Sequence, residues 1–150
     1  MYYHVSSCFL GKDVTLKPQI PVSADAMEEG NIPRICVTED IFYCLRAIIG
    51  CAKPSMKDFK MQFKENPCVY YTPKRPFLPP NASDFRFNTE MWFLSPTKFT
   101  FMGRVDINRL FVDNVVYLTD EKEISFPKNI EKRFDDKYTP KTVFPFGIEW

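Results

Sequence analysis

The chain has 150 residues, which is the length of one ordinary domain and leaves no room for a second full one. Its 20 basic and 19 acidic residues give a net charge of +1, so the strong positive field of a typical nucleic-acid binder is missing. The 5 glycines are too far apart for a glycine-rich phosphate loop, and the single histidine, His4, excludes metal sites that need two. We therefore expect one domain over residues 1–150, without a nucleotide-binding loop of the Rossmann or P-loop kind.

The 5 cysteines are odd in number and contain no CxxC pair, which argues against a zinc ribbon and against a fully paired disulfide framework. Reduced thiols and a cytoplasmic location are the expectation. No run of 18 apolar residues is present and the first residues lack a basic stretch, so the sequence predicts neither a membrane span nor a signal peptide.

The first half of the chain predicts two strands and one well-defined helix. Residues 1–9 are aromatic and β-branched enough for a strand, and residues 11–33 are rich in glycine and proline and predict a long loop. A short strand over 33–38 ends at Thr38, whose hydroxyl is the predicted helix N-cap, and the acids Glu39 and Asp40 suit the positive end of a helix. The helix then covers about 39–50 and ends at a glycine.

The second half predicts shorter elements separated by prolines. Residues 73–88 contain four prolines and predict a second long loop. The tail over 131–150 mixes charges with aromatic residues that we expect to pin it to the core. The remaining predictions are a short helix within 54–66, strands over 67–72, 90–94 and 98–105, and a hairpin of 115–118 with 124–126 across the acidic turn 120–123.

Two side chains stand out as candidates for chemistry. His4 lies in the first strand and is followed by small hydroxyl residues, so its ring can hydrogen-bond a ligand at a strand end. Glu90 opens the apolar run 91–94, where a proline-rich loop leads into a strand. Taken separately, each is better explained as an ordinary strand residue.

Three segments, in order, resemble the motifs of the ADP-ribosyltransferase-like superfamily. Residues 3–7 (YHVSS) resemble its first strand, where an aromatic-His-x-Ser/Thr stretch lines an NAD pocket. Residues 33–41 (PRICVTEDI) are similar to its second motif, a strand that ends in a hydroxyl residue and runs into a helix. Residues 89–99 (TEMWFLSPTKF) are similar to its third, in which an acid opens a strand that ends at a proline turn.

This resemblance implies an α+β fold with split mixed or antiparallel sheets and one or two helices, and it implies NAD as substrate. His4 would donate to a ribose hydroxyl and Ser6 would support the pocket wall. Glu90 would bind the nicotinamide ribose and stabilise an oxocarbenium-like transition state as nicotinamide leaves. The remaining cofactor-binding residues would be Thr38, at the end of the second motif, and Tyr43 or Tyr70, which with Phe42 are the candidates to cover nicotinamide.

The sequence departs from the family pattern at two points. The second motif ends in Cys36, Val37 and Thr38, where several branches have a stacking tyrosine. No acid stands two residues before Glu90, and the one Glu-x-Glu pair is Glu121 and Glu123, which makes that turn a rival acid site.

Three functions follow from these observations. The first is an enzyme that cleaves NAD and transfers ADP-ribose to a macromolecular target, a form of glycosyl transfer. The second is a non-catalytic module that holds a nucleotide-like ligand or inhibits a host protein, as phage-encoded antagonists of defence with this resemblance do; the aromatic content of 16% fits an interface. The third, nucleic-acid binding, would use Lys53, Lys57, Lys60, Lys64, Lys74 and Arg75 and has the least support, because the net charge is near zero.

Overall fold

The computed structural model describes residues 1–20, 32–78, 89–135 and 137–143. These residues form an α+β fold with one mixed sheet, one antiparallel sheet and three helices. The strands are β1 (Tyr2–Ser6), β2 (Asp13–Leu16), β3 (Ile35–Val37), β4 (Cys68–Thr72), β5 (Met91–Phe93), β6 (Thr97–Val105), β7 (Val115–Thr119) and β8 (Lys141–Val143), and the helices are α1 (Ile41–Ile49), α2 (Met56–Gln62) and α3 (Ile107–Asp113).

The larger sheet has six strands in the order β1-β4-β6-β7-β8, with β2 paired to β6. All its pairs are antiparallel except β7 with β8. The longest strand is β6, which is central to this sheet. It pairs with β4 along one edge and with β2 and β7 along the other.

The smaller sheet consists of β3 and β5 in antiparallel pairing, with Cys36 opposite Trp92. An isolated bridge between Tyr3 and Thr38 attaches the end of β3 to β1 of the larger sheet. Since β3 continues directly into α1, this bridge also fixes where the helix begins.

Each helix begins at a polar cap, as its sequence favours. The Asp40 side chain accepts a hydrogen bond from the Phe42 amide at the start of α1, and Gly50 ends that helix in the left-handed conformation. Ser55 forms a capping box with Asp58 at the start of α2. The third helix begins at Asp106, whose side chain accepts from the backbone N–H of the third helical residue.

Two hydrophobic clusters fill the interior. The inter-sheet core lies between the two sheets and contains Ile35, Val37, Cys68, Tyr70, Phe93 and Phe99. The helix core lies between the helices and the opposite face of the larger sheet; its buried residues include Tyr3, Val5, Ile41, Phe42, Cys44, Leu45, Phe59, Phe63, Val69, Val105, Ile107, Leu110, Phe111, Val116, Leu118 and Phe134.

Most predicted elements are confirmed. The helix expected over 39–50 and the short helix within 54–66 are α1 and α2, and strands occur within 1–9, 33–38, 67–72, 90–94 and 98–105. The α+β class with mixed and antiparallel sheets is also confirmed, although the described residues contain three helices instead of one or two.

Three predictions need correction. The loop over 11–33 contains β2, because Asp13–Leu16 finds a partner in β6. The hairpin of 115–118 with 124–126 is wrong: β7 pairs with β6 and β8, and 124–126 form no strand. The sequence analysis also missed α3 and β8. The rest of the two predicted loops, 21–31 and 79–88, and the tail aromatics Phe144, Phe146 and Trp150 lie outside the described residues.

None of the helices in the described ranges is long and apolar enough to cross a membrane.

Candidate functional site

The three segments with family-like motifs meet at β3. Backbone hydrogen bonds of 2.8 and 3.1 Å join Tyr3 of the first segment to Thr38 of the second. The third segment contributes β5, which pairs with β3 along its whole length. Segments separated by more than eighty residues in sequence are thus adjacent in space, and their junction is the candidate site.

His4 is fixed at this junction by a hydrogen bond to β3. Its Nδ1 lies 3.0 Å from the carbonyl oxygen of Cys36, and its ring contacts Phe99. Burial lowers the pKa of His4, while the bond to Cys36 acts in the opposite direction. A carbonyl can only accept, so Nδ1 carries the proton and Nε2 of the neutral ring is an acceptor.

Tyr70 and Ser6 lie on the same face of the larger sheet as His4, but the buried Tyr70 ring offers no surface on which nicotinamide can stack. Tyr70 is directly opposite His4 in the register and is fully buried. Its hydroxyl accepts from the Leu10 amide at 2.7 Å and donates to the Gly11 carbonyl at 3.0 Å. The role of Tyr70 in the described residues is therefore to hold the segment after β1.

A second group of polar side chains lies on the outer face of the small sheet. We call Arg34, Cys36, Glu90 and Trp92 the outer cluster. The Trp92 indole N–H donates to Glu90 Oε1 at 2.9 Å, and Arg34 Nε lies 4.0 Å from the same oxygen. The Arg34 guanidinium also stacks 4.3 Å from the Trp92 ring centre.

The outer cluster is almost completely removed from water. The exposed fractions are 6% for Glu90, 4% for Arg34 and 2% for Trp92. A carboxylate in such surroundings needs a cation and a hydrogen-bond donor, and Arg34 and Trp92 supply them. The negative charge of Glu90 is thus held in one orientation.

The thiols near Glu90 are held in their neutral form. Burial, and then the charge of Glu90, raise the pKa of Cys36 above its usual range. Burial likewise raises the pKa of Cys44 to about 12, although Thr38 opposes the shift. The Cys44 thiol donates to the Tyr3 carbonyl at 3.2 Å, so both cysteines are structural groups and not nucleophiles.

His4 and Glu90 lie on opposite faces of β3. Ile35, Val37 and Phe93 point into the inter-sheet core. Side chains alternate along a strand, so Cys36 and Trp92, which are opposite each other, point to the outer face. Glu90 is bonded to Trp92 on that face, whereas the His4 ring contacts Phe99 of the inter-sheet core. The structure brings the two predicted residues to the same strand but not to one common surface.

The other predicted residues lie toward α1. The Thr38 hydroxyl donates to the Asp40 carbonyl and lies 3.2 Å from the Cys44 sulfur, so it is used in forming the strand-to-helix turn. Tyr43 is half-buried, with the Arg46 guanidinium 5.1 Å from its ring centre. Phe42 is fully buried in the helix core, which removes it as a cover for nicotinamide.

A cavity of 430 Å³ opens at the start of α1, and the sequence analysis did not predict it. Burial raises the pKa of Asp40 despite hydrogen bonds from the helix amides, and it raises the pKa of Tyr3 to about 12, with Asp40 adding to the shift. The lining residues are Tyr3, Glu39, Asp40, Thr139, Pro140, Lys141 and Thr142. Only tertiary contact brings the last four beside the helix, so no local pattern could have indicated them.

The rival acids Glu121 and Glu123 lie on an exposed turn. Their carbonyl oxygens accept hydrogen bonds of 3.0 and 2.8 Å from the side-chain amide of Asn66, which fixes the backbone of the turn. An exposed carboxylate in water provides little of the electrostatic stabilisation that a buried one can. Glu90 is therefore the better candidate for the functional acid.

The described residues contain no group of three or more His, Cys, Asp or Glu side chains arranged to hold a metal ion. No family, no curated protein and no solved structure matches this chain.

Proposed function

We propose that this chain is an NAD-dependent ADP-ribosyltransferase-like enzyme that cleaves the nicotinamide–ribosyl bond and transfers ADP-ribose to a macromolecular target. The observation that supports it is the convergence on β3 of the three motif-like segments, through the Tyr3–Thr38 bridge on one side and the pairing with β5 on the other. Strand pairing thus brings three segments that are far apart in sequence to one place, as a shared ligand site requires.

In this proposal Glu90 supplies the negative charge that stabilises the oxocarbenium-like transition state. A fixed carboxylate in a water-poor site suits this role, because its field is little screened and it needs no reorientation during the reaction. Arg34 and Trp92 fix Glu90 in that way. The mechanism requires the nicotinamide ribose to reach Glu90 from the outer face of the small sheet. Only 6% of Glu90 is exposed there, so the ribose must bind directly against the outer cluster.

The hydrogen-bonding role that we propose for His4 differs from the one implied by the resemblance. Because its Nδ1 donates to the Cys36 carbonyl, Nε2 is the atom left for a ligand, and in the neutral ring that atom accepts. His4 would therefore accept a hydrogen bond from a hydroxyl group instead of donating one.

A second candidate is a module that binds a nucleotide-like ligand or a protein without turnover. The observation that favours it is that the Glu90 carboxylate is already bonded within the outer cluster and lies on the opposite face of β3 from His4. Such a carboxylate can be purely structural. Exposed apolar side chains such as Phe9 and Leu10 would suit contact with a protein partner.

Nicotinamide release from NAD tests the first candidate, with cell lysate present as a source of acceptors. We expect the wild-type chain to release nicotinamide and Glu90→Gln to reduce the rate by about 100-fold or more, as for the loss of a group that stabilises transition-state charge. Glu121→Gln is the matched control, because Glu121 is exposed, and it should leave the rate unchanged.

Melting temperatures of the same variants separate a lost function from a lost fold. Glutamine at position 90 can still accept from the Trp92 indole but removes the negative charge beside the buried Arg34, so we expect a lower melting temperature, and the assay is run below it. Absence of release by the wild-type chain would contradict the enzyme, and a melting temperature raised by NAD in that case would support the binding module. Release that survives Glu90→Gln but is lost in Glu121→Gln or Glu123→Gln would transfer the acid role to the turn.

A further inference from the structure

Two cysteines that the proposed function does not use, Cys8 and Cys68, both border Ser6, the last residue of β1. Cys8 is exposed, two residues beyond the strand. The Ser6 hydroxyl accepts from the Cys8 amide at 3.3 Å, and the Cys8 sulfur lies 3.7 Å from the same hydroxyl. The chain thus bends back so that the Cys8 thiol sits against the Ser6 side chain.

Cys68 occupies the adjacent position in the neighbouring strand. It is the first residue of β4, is fully buried, and is directly opposite Ser6 in the register. Directly opposite residues have Cβ atoms about 4.5–5.5 Å apart and point to the same face. Ser6 therefore contacts Cys8 and borders Cys68, which brings the two thiols to one end of one sheet face.

The electrostatics of the described residues agree with this proximity. Burial raises the pKa of Cys68, the Arg104 guanidinium lowers it, and the Cys8 thiol raises it. Burial raises the pKa of Tyr70, which points to the same face as Cys68, and both thiols add to that shift. Two thiols that both border Ser6 can be joined, after one of them is oxidised, if the exposed segment at Cys8 brings their Cα atoms within about 7 Å.

Arg104 supplies a positive charge at the same place. It is opposite Cys68 in the pairing of β4 with β6, and its guanidinium lies 5.9 Å from the ring centre of Phe9, the residue after Cys8. The Arg104 guanidinium opposes the effect of burial on the pKa of Cys68, and the thiolate is the form of a cysteine that reacts with oxidants and disulfides. An exposed thiol, a buried partner and a cation together are the parts of an oxidation site with a resolving cysteine.

We propose that Cys8 and Cys68 form a thiol-oxidation site that a hydroperoxide converts to a disulfide. The Cys8 thiolate attacks the peroxide O–O bond, giving a sulfenic acid and an alcohol or water as the leaving group. The Cys68 thiol then displaces the sulfenic hydroxyl as water, so that two thiols lose two electrons and two protons and the peroxide gains them. The disulfide fastens the segment after β1 to β4, next to Ser6 and independently of any NAD chemistry.

Hydrogen peroxide is the probe, applied to the full chain after reduction and removal of the reductant. Peptide mapping without reductant should find one cross-linked peptide pair containing Cys8 and Cys68, and denatured protein should have lost two of its 5 thiols. Cys8→Ser and Cys68→Ala should each abolish the cross-link, whereas Cys51→Ser, at a half-buried position elsewhere, should keep it.

Melting before and after oxidation gives a second measurement. Oxidised wild-type chain should melt at a higher temperature, the rise should disappear with dithiothreitol, and Cys8→Ser should show neither change. Because Cys8 is exposed, this variant remains informative even if Cys68→Ala fails to fold. Oxidation of Cys8 to higher acids, pairing of Cys8 with another cysteine, or dimers joined through Cys8 would each overturn the proposal.

Discussion

Among single residues, His4 shows most directly how burial changes chemistry. It is the only histidine of the chain, its ring is held by the Cys36 carbonyl, and burial lowers its pKa. The unfolded chain therefore binds a proton on His4 at a pH where the folded chain does not. Protonation of this one residue links the stability of the fold to pH.

We expect the free energy of unfolding to decrease as the pH falls below about 6.5, by up to about 1.4 kcal/mol per pH unit. The sign follows from the lowered pKa of His4 in the folded chain. The contribution of His4 to the free energy of unfolding is fully present above its pKa in the unfolded chain, and it is lost as the pH falls toward its pKa in the folded chain. Urea unfolding at several pH values between about 5 and 8 measures this dependence.

The control is His4→Asn, which keeps an N–H donor for the Cys36 carbonyl but does not titrate. Its stability should vary less with pH than that of the wild-type chain. Asp40, whose pKa is raised by burial, contributes a change of opposite sign at lower pH, but it is present in both proteins and cancels in the comparison. Identical pH dependence in the two proteins would show that the pKa of His4 is the same in the folded and the unfolded chain, which contradicts the prediction.

Glu90 shows what a residue pattern can indicate and what it cannot. Its position before an apolar strand made it a candidate, but the sequence holds no local sign of its partner Arg34, which lies 56 positions earlier. The pairing of β3 with β5 brings the two together and removes both from water. Whether such an acid faces a ligand or a neighbouring side chain is decided by that pairing.

At the scale of elements, β6 depends on one glycine. Gly103 has a φ of +150°, and the register of β4 against β6 shifts beside it, between Val69 and Tyr70. A Cβ at position 103 would lie 3.2 Å from the Leu118 Cβ of β7. The pairing with β4 skips Met102 at this point, which is the pattern of a β-bulge.

Gly103→Ala should lower the free energy of unfolding by about 2–3 kcal/mol, because backbone strain and the close contact with Leu118 add together. Gly50→Ala is the matched control: Gly50 has a φ of +74°, and a Cβ there meets nothing within 4 Å. It should cost only about 1 kcal/mol, from the left-handed conformation alone. Equal losses in urea unfolding would show that the contact with Leu118 relaxes freely.

Helices whose caps and apolar spacing lie within the segment itself can be predicted from the sequence, whereas short strands that depend on a distant partner cannot. The helix α1 has a cap at each end, Asp40 and Gly50, and was predicted. The helix α3 also has a cap, Asp106, and buries Ile107, Leu110 and Phe111 at helical spacing, so its pattern was present but was overlooked. For β2 and β8 no such pattern exists, since each is short and becomes a strand only by pairing with β6 or β7.

For the molecule as a whole, the region after β7 is held by an aromatic side chain. Phe134 is buried in the helix core and contacts Phe42 of α1, Phe59 of α2 and Phe111 of α3, with ring centres 5.1 to 6.3 Å apart. Its backbone amide donates to the Pro54 carbonyl at 3.1 Å. One residue thus connects the C-terminal region to α1, α2 and α3.

Phe134→Ala should lower the free energy of unfolding by about 3–5 kcal/mol, the usual loss for a buried phenylalanine that leaves a cavity among rigid neighbours. Phe77→Ala is the control, since Phe77 is 49% exposed, and it should cost less than about 1.5 kcal/mol. Thermal or urea unfolding of both variants measures the difference. A loss for Phe134→Ala no larger than for Phe77→Ala would mean that the helices pack without the C-terminal region.

The sequence by itself determined the features whose causes lie within a few residues. These are the existence of α1 and its end at Gly50, the strand character of β1, β4 and β6, the absence of a glycine-rich phosphate loop, and the near-neutral charge balance. Each rests on local backbone preference or on composition, which do not depend on what the segment later contacts.

Only the tertiary structure decided which surfaces those elements share. The meeting of the three motif-like segments at β3, the opposite faces of His4 and Glu90, the burial of Glu90 with Arg34, and the position of Ser6 opposite Cys68 all depend on pairings between distant strands. The physical reason is that a strand presents alternate residues to opposite faces, so the side that reaches a ligand is set by its partner and not by its own sequence.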